Sequence, residues 1–213
     1  MRSTLAALMC LFVFSAIPAK AQTDCSGGII NDDGVFEDGL RFNAADGRMV
    51  QKIVLPSPQS LRSVCVCWQS LSSGDSAVNF NLLVYDATGV GGQPGTLIAS
   101  VPETALGIPS GLTGKFYKYD LSGVNLSSDA YIGVQVNGFT EPGIYLCEST
   151  GLAPAKPGYA SITGGAVWTD VVLLDPLFEA FGLRALTGPS TQSCFQTATD
   201  LCLNNGRFKV SAT

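Results

Sequence analysis

An antiparallel two-sheet β-sandwich of jelly-roll type is the fold this sequence predicts, on three observations. Apolar residues recur at period two in one short stretch after another. The 24 glycines and 11 prolines interrupt the chain too often for long helices, and the crossover helices of a parallel α/β fold have no room. Seven cysteines occur, one of them in an N-terminal export leader, which leaves an even set for pairing in an oxidising compartment.

Residues 1–21 read as the leader. Arg2 is its basic start, Leu5 to Ile17 its apolar run, and Ala19-Lys20-Ala21 its small-x-small cleavage pattern. The run is shorter than the ~20 residues that span a bilayer. No later stretch approaches that length, so the chain from about Gln22 onward is expected to be exported and soluble, without membrane insertion. Residues 22–186 then read as one sandwich domain, 187–193 as a polar linker, and 194–213 as a hairpin or the start of a second module.

The strands are placed by their faces. Val78, Phe80, Leu82 and Val84 alternate with Asn79, Asn81, Leu83 and Tyr85, and Ile132, Val134 and Val136 with Tyr131, Gly133 and Gln135. Tyr117, Tyr119 and Leu121 share one face, and Val64, Val66 and Trp68 share another, opposite Cys65 and Cys67. Further strands are expected at 35–42, 49–55, 96–101, 144–147, 159–163, 166–169 and 181–186. One short helical turn is expected within 170–179, limited by Pro176. Near the end, Asn205-Gly206 is a strong hairpin turn signal between 199–204 and 207–211.

Two residues apart on a strand, Cys65 and Cys67 point the same way and must reach different partners. Cys147 is the favoured partner for one of them and Cys25 a candidate for the other. Cys194 with Cys202 would close a local loop. A zinc site is disfavoured, because the C-x-C pair lacks a second closely spaced pair.

Several short motifs carry a resemblance. Asp32-Asp33-Gly34-Val35-Phe36-Glu37 looks like the opening of a group of exported bacterial β-sandwich domains. Val84-Tyr85-Asp86 followed by Gly91-Gly92-Gln93-Pro94-Gly95-Thr96-Leu97 resembles their strand-then-loop element. Gly164-Gly165-Ala166-Val167-Trp168 and Leu183-Arg184-Ala185 resemble their closing strands. The resemblance covers about 29–186 and implies a mostly non-catalytic appendage of a secreted or surface protein. Cys194, Leu201-Cys202-Leu203 and Arg207-Phe208-Lys209-Val210 are similar to the start of another bacterial extracellular module. That module normally runs on further, which implies a truncated product or a fragment.

Chemistry is bounded by the absence of histidine from all 213 residues: no Ser-His-Asp or Cys-His system and no imidazole metal ligand can form. With a formal net charge of −5 and no basic stripe, nucleic acid and anionic membranes are excluded as partners. The densest charge cluster, Asp32, Asp33, Glu37 and Asp38, offers oxygen ligands for a structural Ca²⁺, or else is turn chemistry and a solvated strand. Glu37 paired with a carboxylate from another strand would be the minimum for a glycosidase. Trp168, Tyr117, Tyr119, Tyr85, Tyr145 and Tyr159 are the aromatic platforms available for stacking under a sugar, and the first four are the candidate ligand-binding residues. Tyr117 and Tyr119 share a face with Leu121 that is also suited to the core, and Trp68 is expected to be core. The functional expectation is a secreted, non-catalytic module that binds carbohydrate or another extracellular polymer. The alternatives are a structural or adhesive spacer contacting an envelope protein and, last, a hydrolase.

Overall fold

The computed structural model describes residues 25–41, 46–71, 76–136, 143–151 and 154–189, together with the backbone of 203–204 and 207–208. Two antiparallel six-stranded sheets pack face to face. The first contains β1 (Asp38–Leu40), β3 (Gln59–Ser70), β6 (Gly111–Leu126), β8 (Ile144–Thr150), β11 (Phe178–Phe181) and β12 (Leu183–Pro189). The second runs in the order β10 (Thr169–Asp170), β9 (Gly158–Ser161), β2 (Arg48–Ile53), β7 (Ala130–Val136), β4 (Ser76–Asp86) and β5 (Leu97–Ile108). A separate hairpin pairs β13 (Leu203–Asn204) with β14 (Arg207–Phe208), flanking the Asn-Gly turn signal. No helix among the described residues is long and apolar enough to cross a membrane.

Period two decides which residues lie between the sheets. Val78, Phe80, Leu82 and Val84 of β4 meet Val64, Val66 and Trp68 of β3, all buried in one core cluster. Trp68 and Phe80 stand edge to face with ring centres 5.2 Å apart, and Tyr119 packs on Phe80 in the same way. Tyr117 and Tyr119 pair with Val66 and Val64 across β3 and β6, which turns both rings inward. Large aromatic burial of this kind contributes roughly 1.5–3 kcal/mol per side chain. Gln51 also lies on the inner face of β2, fully buried. Its Oε1 accepts from the Phe181 amide at 3.0 Å and its Nε2 donates to the Pro157 carbonyl at 2.9 Å, so it ties the two sheets together.

Sheet one forks. β3 pairs with β6 along one edge; along the other it pairs first with β12 and then, at Trp68 and Gln69, with β8. At the fork the Cys67 amide donates to the Gly182 carbonyl, the Gly182 amide donates to the Cys147 carbonyl, and a Cys67–Cys147 disulfide crosses between them. A side chain at Gly182 or Gly114 would run into those two cysteines, so both positions must stay bare. Cys25–Cys65 is the second disulfide. Both agree with the partners favoured from the C-x-C spacing; Cys194 and Cys202 lie outside the described residues.

Several expected strands turn out shorter, two of them for reasons the hydrogen bonds show. Within the described part of the expected strand 35–42, residues 35–41, only Asp38–Leu40 is strand, because Asp32 and Asp33 each fold back on the amide two residues later and Phe36 turns onto the disulfide. Of 166–169 only Thr169 is. Ser161 Oγ accepts from the Gly165 amide and Thr163 Oγ1 from the Val167 amide, which holds 162–168 as a loop. The short turn expected in 170–179 is a 3₁₀ turn at Val171–Leu173, capped by Asp170.

Candidate functional site

The acidic group of the N-terminal segment is committed to protein donors. Arg184 grips Asp32 with both Nε, at 2.9 Å, and Nη2, while its Nη1 donates to the Cys25 carbonyl. Asp33 accepts from Ser149 Oγ at 3.2 Å and Glu37 from the Thr150 amide at 3.1 Å. Asp38 accepts from the Gly39 amide at 2.7 Å. Arg184 also lies over Phe116, 4.1 Å from the ring centre, and Phe36 meets Phe116 edge to face. Residues 25–37 therefore form a strap across the outer side of sheet one. Among the described residues no three acidic or sulfur ligands gather at one point.

On the outer face of sheet two, strand register builds a second, smaller aromatic cluster. Tyr85 of β4 lies opposite Tyr131 of β7, and Val50 of β2 opposite Tyr159 of β9. Tyr131 packs on Tyr159 with ring centres 5.7 Å apart, and Tyr85 packs on Trp168 at 5.3 Å and 85°. Tyr85 and Tyr131 are buried although they point away from the sandwich interior, while Tyr159 and Trp168 are partly exposed at its margin. Of the four rings singled out from sequence, Trp168 is thus a rim residue, Tyr85 lies beneath it, and Tyr117 and Tyr119 face the core.

Two loops hold this cluster in place. Asp86 accepts from the Thr88 amide, Thr88 Oγ1 and the Thr96 amide, which closes the glycine-rich stretch on itself. Slight burial works against its charge, but these hydrogen bonds outweigh it and hold the carboxyl below its usual range. Tyr131 Oη donates to the Gly92 carbonyl at 2.6 Å, pinning the loop to the sheet. The 162–168 loop forms the other wall. There Gly165 has φ +87°, and a Cβ on it would stand 3.0 Å from Arg48 Nη1 and 3.3 Å from both Trp168 and Tyr85 Oη.

Arg48 is the residue that sequence reading passed over. It opens β2 on the outer face, opposite Gln135 and Ser161, and its Nη1 donates to Tyr85 Oη. Burial raises the Tyr85 pKa, and the neighbouring guanidinium pulls the other way. The signal was present: Arg48, Val50 and Lys52 alternate with the inward Met49, Gln51 and Ile53. What the alternation lacked was the loop that arches over it.

Glu148 is the other unforeseen group. It sits on the inner side of β8, 1 % exposed, with Oε1 lacking a hydrogen-bond partner. Burial, reinforced by Asp175 and Asp38, pushes its pKa up to about 8. A shifted carboxyl can mark a catalytic acid, but Glu148 lies opposite Phe181 and faces the packed interior rather than the outer aromatic face.

No protein-family model matches this sequence, and no curated protein aligns with it significantly. Two solved structures are similar to it. One, described as the clostridial cysteine protease Cwp84 after propeptide cleavage, superposes with a TM-score of 0.51 at 15 % identity, over 72 % of this chain and 38 % of that one. Another holds the cysteine protease and lectin-like domains of Cwp84, a surface layer associated protein of Clostridium difficile. It gives a TM-score of 0.47 at 17 % identity, over 68 % of this chain and 32 % of that one. The chain spans only about a third of the length of these structures, and the first likeness establishes a shared β-sandwich architecture and nothing finer.

Proposed function

We propose that the protein is an exported, non-catalytic β-sandwich module that binds extracellular carbohydrate on the outer face of sheet two, where Trp168 stands on Tyr85. The observation that carries this reading is the mounting of Trp168. Its indole is held edge-on to a buried tyrosine, beside a bare glycine turn that also meets the Arg48 guanidinium, yet remains partly exposed. A flat ring braced in this way suits stacking under a pyranose, and Arg48, partly exposed, opens β2 between Gln135 and Ser161 on the same outer face. Two disulfides fit folding in an oxidising, extracytoplasmic compartment. The non-catalytic part of the reading is supported by the lack of histidine and by Glu37, which is exposed and bonded to a backbone amide.

The test is affinity electrophoresis against a panel of soluble plant, algal and bacterial polysaccharides. Wild-type protein is expected to be retarded by at least one of them. Trp168→Ala is expected to weaken that binding at least about tenfold, roughly 1.4 kcal/mol, with an unchanged far-ultraviolet circular dichroism spectrum. Undiminished binding by Trp168→Ala, or no retardation by any glycan, refutes the reading.

A second reading, a spacer making protein–protein contacts, is favoured by Leu173, Leu174 and Leu177, which are 78 %, 51 % and 55 % exposed around the 3₁₀ turn after β10. It predicts envelope-protein capture that Leu173→Ser with Leu174→Ser abolishes and Trp168→Ala does not.

A further inference from the structure

We infer that the Trp168 corner selects acidic carbohydrate, with Arg48 receiving the carboxylate of a uronic acid residue stacked on the indole. This deepens the carbohydrate reading and rests on it. The argument begins with what Arg48 lacks. Its Nη1 is taken by Tyr85 Oη, its Nε is buried without an acceptor, and no carboxylate lies within salt-bridge distance among the described residues.

Two other cations of the same chain, Arg184 and Lys52, are given a carboxylate. Arg184 holds Asp32 through two nitrogens and a backbone carbonyl through the third, and Lys52 pairs with Asp129 at 3.2 Å. A guanidinium N–H left unsatisfied away from water loses its hydration with no hydrogen bond in return. An anion reaching the guanidinium supplies the missing charge partner, and the planar fork matches a carboxylate with two parallel hydrogen bonds.

The 162–168 loop meets the guanidinium through glycine backbone alone and leaves Arg48 partly exposed. Gly164 and Gly165 have φ of +64° and +87°, and a Cβ on Gly164 would sit 3.7 Å from Nη2, beside the Gly165 position already close to Nη1 and Trp168. Two consecutive residues in the left-handed region, both glycine, place backbone and no side chain against the fork and the indole. A hexuronic acid carries its carboxylate at the edge of the pyranose ring. With the ring on Trp168, that edge meets the fork beside the indole.

Asp46 lies by the same glycine turn, and it accepts from Gln135 Nε2 at 3.4 Å rather than pairing with Arg48. The formal net charge of −5 offers no general attraction to polyanions, so any preference for the acidic form must be local to Arg48.

The probe is polygalacturonate against the same polymer fully methyl-esterified, with dextran sulfate as a third arm, measured by affinity electrophoresis. Wild-type protein is expected to bind the free-acid form at least about tenfold more tightly than the ester. Arg48→Gln is expected to remove that preference, and so is Arg48→Lys, which keeps the charge but not the fork. Near-ultraviolet circular dichroism reports whether the Trp168–Tyr85 packing persists in each variant.

Equal binding of acid and ester by wild type, or a preference that survives in a folded Arg48→Gln, overturns the selectivity and leaves the carbohydrate reading standing. Dextran sulfate bound as tightly as polygalacturonate overturns the assignment to a carboxylate. Failure to bind these three probes and every glycan of the wider panel removes both readings. Since the acid-to-ester comparison is made on wild-type protein, a variant that misfolds does not shield the inference.

Discussion

The outer faces of the two sheets are built from similar materials and used in opposite ways. Each carries an arginine beside an aromatic ring, a carboxylate nearby and bare glycines at a close approach. On sheet one the arginine, Arg184, is closed off: it holds Asp32, covers Phe116 and lies under a strap fixed by Cys25–Cys65. On sheet two the arginine, Arg48, is left without an anion beside a partly exposed indole. The contrast teaches that aromatic–cation pairs do not by themselves mark a binding surface. What distinguishes the two is whether the protein supplies the counter-charge.

The first way to break this comparison is to remove covalent closure from sheet one. Replacing Cys67 and Cys147 together by serine is expected to destabilise the fold by roughly 2–5 kcal/mol, read as a fall in urea midpoint. The polysaccharide affinity of the molecules that remain folded is expected to be unchanged. A variant of unaltered midpoint would show that the fork at Gly182 holds without its crosslink.

Asp32→Asn probes the same face more finely. Asp32 is buried and Arg184 nearly so, hence removing one charge strands the other and costs about 3 kcal/mol. Urea denaturation checks this, and a change below about 0.5 kcal/mol would place the pair among surface ion pairs of little consequence.

Between the faces, Glu148 gives the interior a pH dependence that neither outer surface explains. Its folded pKa of about 8 lies above the ordinary 4.5, so it favours the protonated, folded form. Its contribution is therefore full below about pH 4.5, declines as pH rises between 4.5 and 8, and is gone above that range. Wild-type protein is expected to lose on the order of a few kcal/mol across this window. Glu148→Gln is expected to flatten the profile and to be the more stable protein at pH 9. Parallel profiles for the two would refute the assignment.

Much of the architecture was legible in the sequence because strand faces repeat a local rule. Val78 to Val84 and Ile132 to Val136 show their inner and outer sides without any knowledge of partners, and Cys65 and Cys67 show that they diverge. The strap was not legible. Val35 to Phe42 has strand composition, but Asp32 and Asp33 bend the chain, and Arg184, which fixes it, lies far along the sequence.

The site was half legible for the same reason. Trp168 and Tyr85 stood out separately as aromatics, yet their contact needs β4 and the loop before β10 to share one face, with Arg48 opening β2 beside them. Period two tells which way a side chain points; it cannot tell what roof will cover it. Glu148 was hidden more deeply, since a glutamate late in a strand reads as solvated until β1 and β11 close over both edges of β8.

The most direct test of the asymmetry is a two-dimensional NMR titration of wild-type protein with oligogalacturonate, following the indole and guanidinium N–H signals together with backbone amides. Perturbations are expected at Trp168 Nε1, Arg48 Nε and the 162–168 loop, with Arg184 Nε and the strap amides of 25–37 unmoved. Shifts centred on Arg184 and the strap, with Trp168 and Arg48 silent, would contradict the assignment of sheet two as the open face.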